Sequence, residues 1–267
     1  MARNTSNFAV VRAAIMPLVM AGLAGLLFAA RPGQSPQPAP ESRISPKAQD
    51  LLNHALQALG GAAFQNLKTV TTSGRAFAFQ EGETAGLEPY QSTIELPDKR
   101  RFSYGKSKPV VLINSGSQAW EIDQFGIEPQ PSEDVKAWKL ASRYSLENLF
   151  RLRIHEPGVL IQDSGVDFVT NQAVYVLDMV DSQQVHMKLY LHRPTYLPLR
   201  VTYRIANPKT SDWDDYADEY SDYQVVQGIT TPMHVVRFLN DDRIGEVFRN
   251  TVRYNEPVPP NYFEPHR

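Results

Sequence analysis

The sequence predicts a mainly β protein with a few helices (α+β), in which one large antiparallel sheet curls around helices on its inner side. Three observations carry this. From Val185 to Pro265, apolar and polar residues alternate in runs joined by polar turns. A second group of strand signals occupies residues 69–123. Between the groups, residues 132–154 switch to helical period. Strands, helical segments and strands again, with no internal repeat, fit one sheet covered by helices. Roughly ten or more strands curl rather than stay flat.

The N-terminal residues are of a different kind. Arg3 and Arg12, with no acidic residue nearby, precede an uncharged run from Ala13 to Ala30, the form of an export signal. Cleavage after Ala30 is the expectation, although Phe28 is bulky for the third position back. An uncleaved anchor is the alternative, because the run has the minimum length of a spanning helix, weakened by Pro17, Gly22 and Gly25. The chain has no cysteine, so it is not expected to be a lipoprotein carrying its own lipid. Losing residues 1–30 takes the formal charge from −2 to −4, which gives no basic surface for nucleic acid. Residues 31–46, RPGQSPQPAPESRISP, have almost nothing to bury and are expected to be an extended tether, with a single domain over residues 47–267.

Ser45 is placed to cap a helix with Pro46 in its first turn. Ala48, Leu51, Leu52, Ala55, Leu56 and Leu59 supply its apolar stripe, and Gly60-Gly61 ends it. Strand signals follow in TVTTSGRAFAF, QSTIEL, KRRFSY, VVLIN and QAWEID, punctuated by Gly82, Pro97-Asp98, Gly105 and Asn114-Ser115-Gly116. In residues 132–154, Ser132, Glu133 and Asp134 mark a helix start, and Arg151 and Arg153 mark its end. Val135, Trp138, Ala141, Leu146, Leu149 and Phe150 form an apolar stripe with one long step at Tyr144-Ser145, which predicts a break there. Lys136, Lys139, Arg143 and Arg151 lie opposite. The stripe is equally that of a movable lid and of a fixed packing helix. In QVHMKLYLH, Val185, Met187, Leu189 and Leu191 share a face, and PLRVTYRIA repeats the pattern after a turn at Arg193-Pro194-Thr195. Further breaks sit at Gln227-Gly228 and Asn240-Asp241-Asp242.

Taken in order, the opening helix ending LGG, then LKTVTTSGR, ELPDKRRFSY, SGSQAWEID, VYVLDM, YLHRPTYLPLRVTYR, VVQGITTPMHVV and VRYNEPVPPNYFEP resemble the LolA-like periplasmic proteins over about residues 47–265. That superfamily of lipoprotein and lipid carriers includes LolB, LppX-type and RseB-type relatives. The resemblance implies an incomplete, strongly curved antiparallel β-barrel with helices over its concave face and an apolar cavity between them for an acyl chain. One departure is Leu96, which stands before Pro97 where the lipoprotein carriers have a basic residue. Arg100 and Arg101 follow that proline, and sequence assigns them no role.

Side-chain chemistry points away from catalysis. His186 and His192 share a strand face but lie about 20 Å apart at roughly 3.3 Å per residue, too far to share a metal ion. Without cysteine or a G-x-S-x-G turn no nucleophile stands out, and Ser115 and Ser117 belong to a hairpin turn. The acidic stretch of residues 211–223, SDWDDYADEYSDY, lacks the ligand order of a calcium loop and is expected to be solvated surface. Phe77, Phe79, Phe102, Trp120, Trp138, Leu146, Leu149, Phe150 and Leu189 are the cavity candidates, with Trp120 on or near the concave face. The expected function is non-enzymatic and needs no cofactor: an envelope protein that binds a lipid or an acylated lipoprotein. Two alternatives stand beside it, an RseB-like regulator that binds a membrane protein partner and, with less support, a hydrolase on a barrel.

Overall fold

The computed structural model describes residues 42–207 and 210–266. The expected signal and most of the expected tether therefore lie outside the described residues. No helix among the described residues is long and apolar enough to cross a membrane.

The chain opens on β1 (Arg43–Ile44), α1 (Pro46–Leu59) and α2 (Ala62–Gln65). Six strands follow, β2 (Thr69–Gln80), β3 (Glu83–Glu95), β4 (Lys99–Tyr104), β5 (Val110–Ser115), β6 (Gln118–Ile122) and β7 (Ile127–Pro129). Next come α3 (Ser132–Arg143), α4 (Leu146–Arg151) and a short 3₁₀ turn, Arg153–His155. The last seven strands are β8 (Leu160–Val169), β9 (Gln172–Val180), β10 (His186–His192), β11 (Pro198–Asn207), β12 (Asp212–Val226), β13 (Ile229–Leu239) and β14 (Asp242–Tyr254). All the strands form one sheet in the order β1-β8-β9-β10-β11-β12-β13-β14-β2-β3-β4-β5-β6-β7. Every pairing is antiparallel except β1 with β8. Two up-and-down meanders, β2–β7 and β8–β14, are thus joined at one seam between β14 and β2.

Local chemistry explains the elements. The Ser45 hydroxyl accepts from the Ala48 amide at the start of α1, and Gly60 ends that helix at φ 122°. The hairpin turn at Asn240 and Asp241 has both residues at positive φ, the form that matches strand twist. At the seam Gly74 is obligatory, because a Cβ there would lie 1.9 Å from the Phe248 carbonyl oxygen. The largest core packs α1 and α4 against the concave face of β8–β13, with Leu59, Leu149, Leu177, Leu189 and Val201 fully buried.

Several expectations need correction. The tether does not reach Pro46, because Arg43 and Ile44 pair with Leu160 and Ile161 and the Lys47 ammonium meets Asp163 at 2.8 Å. α3 does start at Ser132 as expected, with Pro131 in the cap position, and the second helix has a side-chain cap in Ser145. The break at Tyr144 stands as expected. The acidic stretch is not solvated throughout: on β12 Asp212, Asp215 and Asp222 face water, but Asp214 and Asp218 are buried.

Candidate functional site

Cross-strand register decides which side chains enter the barrel. On β4, Arg100, Phe102 and Tyr104 alternate inward in step with Ile94, Ser92 and Tyr90 of β3 and with Asn114, Leu112 and Val110 of β5. On β13, Arg237 pairs with Asp218 of β12 and Gly245 of β14, and on β14 Arg249 pairs with Gly74. These three arginines line a cavity of about 170 Å³ between the sheet and α3. Val70, Thr72, Ile94 and Leu96 form its floor, and Ala137, Trp138, Ala141 and Ser142 of α3 form its roof. Ser145 and Glu147 close the end towards α4.

Each arginine is held differently. Arg100 donates from Nε and Nη2 to Asn114 Oδ1 at 3.1 and 2.8 Å, and its guanidinium lies 4.1 Å from the centre of the Trp138 ring. Asn114 in turn donates to Gln130, whose amide donates to the Ile113 and Trp120 carbonyls, so the whole chain of amides is fixed. Burial, and then the charge of Arg237, push Arg100 down to about 9, with Asp134 opposing; the group stays charged at neutral pH. Arg237 grips Asp218 through two bonds of 2.7 and 2.8 Å. Burial alone would lower Arg237, but the Asp218 carboxylate more than reverses that and raises it. Arg249 donates to the Pro232 carbonyl at 3.0 Å. Beside this cluster, the hydroxyls of Tyr203 and Tyr216 are buried without a protein partner.

The junction between α3 and α4 is fastened at its base. Ser142 Oγ and Asn148 Nδ2 both donate to the Pro97 carbonyl, at 2.7 and 2.8 Å. Arg143 donates to Asp181 and Glu156, and the Tyr144 hydroxyl donates to Asp181 at 2.9 Å. Burial pushes the Asp181 carboxyl up, but the Val185 amide, Arg143 and Tyr144 outweigh it and hold the group below its ordinary value. A carboxylate depressed in the folded state stabilises above its unfolded pKa of about 3.9 and loses that contribution as pH falls through the folded value. Thermal melts from pH 7 to pH 2 are therefore expected to drop below about pH 4. Asp181→Asn should show a shallower acid limb than the unsubstituted protein.

Of the sequence-selected residues, Phe102 and Trp138 share one buried cluster, and of the two Trp138 lines the cavity. Leu146, Leu149, Phe150 and Leu189 are buried in the main core. Phe77 faces outward, edge-on to Phe248 at 5.7 Å, and Phe79 lies under the Arg243 guanidinium at 3.8 Å. Trp120 is not concave: Asn114 opposite Ala119 turns residues 119 and 121 inward, and Trp120 packs outside with Ile113, Val258 and Phe263. Sequence reading passed over Asp218, Arg237, Arg249 and Glu147, and left Arg100 without a role.

Two other places gather polar side chains. A broader concavity of about 940 Å³ lies against β8–β13, where Lys188 pairs with Asp178, Arg200 with Glu219 and Arg204 with Asp215. Elsewhere, Ser221 Oγ lies 2.9 Å from His234 Nδ1, and Glu246 lies 2.7 Å from His234 Nε2. Such a chain resembles a hydrolytic triad, yet one also needs N–H donors aimed at an oxyanion. Here the three residues are neighbours across β12, β13 and β14 within the sheet ladder, and His234 is stacked on Phe248. They read as cross-strand polar pairs.

No family model and no curated protein matches the chain. Solved structures do. A Vibrio parahaemolyticus domain named for outer membrane lipoprotein sorting aligns over 81% of this chain and 97% of its own, with 10% identity and a TM-score of 0.52. The fold is LolA-like. A DUF1329 family protein from Desulfovibrio piger aligns over 81% and 96% of the two chains, with 12% identity and a TM-score of 0.55. A LolA superfamily protein from Nitrosomonas europaea aligns over 82% and 97%, with 14% identity and a TM-score of 0.49. In this LolA-like barrel the sheet edges β1 and β7 stay apart, and α3 covers the arginine-lined part of the concave face.

Proposed function

We propose that the protein is a non-enzymatic binding protein of the cell envelope that carries or senses a lipid, or the acyl chain of a lipoprotein, beneath α3. The observation that carries this is the cavity roofed by α3 on the concave face, lined by apolar side chains together with three arginines. The fold it shares with a domain named for lipoprotein sorting supports the reading. At about 170 Å³ the cavity is well below the roughly 300–1,000 Å³ of common ligand sites, so an acyl chain needs the roof to move. α3 suits that role. Among its side chains, Ala137, Trp138, Ala141 and Ser142 are buried, Lys139 faces solvent, and the chain breaks at Tyr144 immediately after it. Burial of methylenes at about 0.8 kcal/mol each holds an acyl chain without any catalytic group.

The test is titration of the purified domain with a fluorescent fatty acid, together with mass spectrometry of what organic solvent extracts from it. Saturable binding is expected. Ala141→Trp, which puts a large ring into the cavity, is expected to weaken binding at least tenfold while the fold is retained by circular dichroism. A folded domain that binds no acyl probe and yields no lipid would overturn the reading.

A further inference from the structure

We propose that the cavity under α3 is a receptor for the anionic end of an amphiphile, a phosphate or carboxylate group held by Arg100 and Arg249 beside the Arg237–Asp218 pair. The inference rests on the lipid-binding reading above and adds which end of the ligand is read, and by what. Three guanidinium groups converge on a space that would hold about five or six waters at ~30 Å³ each, which is the scale of a headgroup and not of a chain. Guanidinium groups are seldom buried without a partner, and their planar donors match phosphate and carboxylate oxygens.

The cavity lining carries three guanidinium groups and one carboxylate, with Asp218 paired to Arg237 and the charge of Asp134 acting on Arg100. Asp218 is engaged by both donor arms of Arg237. Arg100 spends two donors on the neutral amide oxygen of Asn114, and Arg249 donates to a backbone carbonyl and to the Tyr90 hydroxyl. Glu147, the one carboxylate in the lining, stands at the α4 end of the cavity, and its charge is felt by Tyr220, Tyr223 and Tyr254. Burial pushes Arg100 down, with the neighbouring Arg237 adding to it, a cost that a bound anion would relieve. Trp138 stacks on the Arg100 guanidinium, and on the sheet side the Asn114–Gln130 amide chain fixes that arginine's acceptor. The floor of Val70, Ile94 and Leu96 continues from these charges as apolar surface, the arrangement an amphiphile requires.

The test compares ligands with the same chains and different ends on the unsubstituted protein. Phosphatidic acid is set against diacylglycerol, and oleate against methyl oleate, with inorganic phosphate titrated alone by calorimetry. The charged member of each pair is expected to bind at least tenfold more tightly. Arg249→Met, and separately Arg100→Met, should erase that preference, so that the charged and neutral members of each pair bind alike. Equal binding of charged and neutral members overturns the anion inference and leaves the lipid reading standing. Binding of inorganic phosphate with no binding of any lipid supports the anion site and overturns the lipid reading. Binding of none of them overturns both. If a substituted protein fails to fold, the ligand pairs on the unsubstituted protein decide alone.

Discussion

Leu149→Glu is expected to cost the domain several kcal/mol of stability or to prevent folding, and not merely to loosen a cover. Leu149 has no exposed surface and sits in the largest core with Leu52, Phe64, Phe150 and Leu189. A carboxylate there would be buried and unpaired among apolar groups, one of the few changes that reach such a magnitude. The reason lies in how residues 132–154 divide. α4 carries Leu146, Leu149 and Phe150 into the core, whereas α3 lies over the arginine cavity. Only α3 qualifies as a lid. Lys139→Glu, on its exposed face, should stay within about 0.5 kcal/mol of the unsubstituted protein. Urea denaturation of both variants checks the contrast, and equal stability of the two would show that α4 is not core.

Asp218→Ala is expected to destabilise by about 3–5 kcal/mol, because it leaves Arg237 facing the interior without its bidentate partner. The cost arises from the unmatched charge and not from any large net value of the pair itself. The double change Asp218→Leu with Arg237→Met should therefore recover most of the loss, since apolar replacement of a buried pair is often close to neutral. Chemical denaturation of the two variants separates these contributions. A double variant as unstable as the single one would mean that the ion pair holds the sheet together through contacts of its own.

Much of the architecture was legible in the chain because strand period, turn chemistry and capping act locally. Met187, Leu189 and Leu191 announced their face by alternation, and Ser45 with Pro46 announced a helix start. The break at Tyr144 showed as a long step in the apolar stripe. What stayed hidden depended on partners far away in sequence. Asp218 lies in phase with Tyr216 and Tyr220, which was a signal that it points inward, but its meaning needed Arg237 on the next strand. Arg100 likewise runs in phase with Phe102 and Tyr104. Trp120 misled because a tryptophan after a tight turn suggests a cavity, while the register of β5 on β6 turned it outward beneath the C-terminal segment. The strand β8 was missed because its exposed Val166 and Phe168, with a bulge between Asp163 and Val166, break the alternation that marks a half-buried strand.

The seam between β14 and β2 bears on the order in which the chain can assemble. Each meander is built from neighbours in sequence and can form locally, but Tyr254 must find Val70, and Gly245 must find Ala78. Such distant pairings are the slow ones, because a long loop must close before any contact is gained. A chain made from its N-terminus onwards has β2 waiting with an open edge until β14 arrives. A chain cut short before Asp242 would then carry two bare edges at the centre of its sheet, each a template for pairing with another molecule.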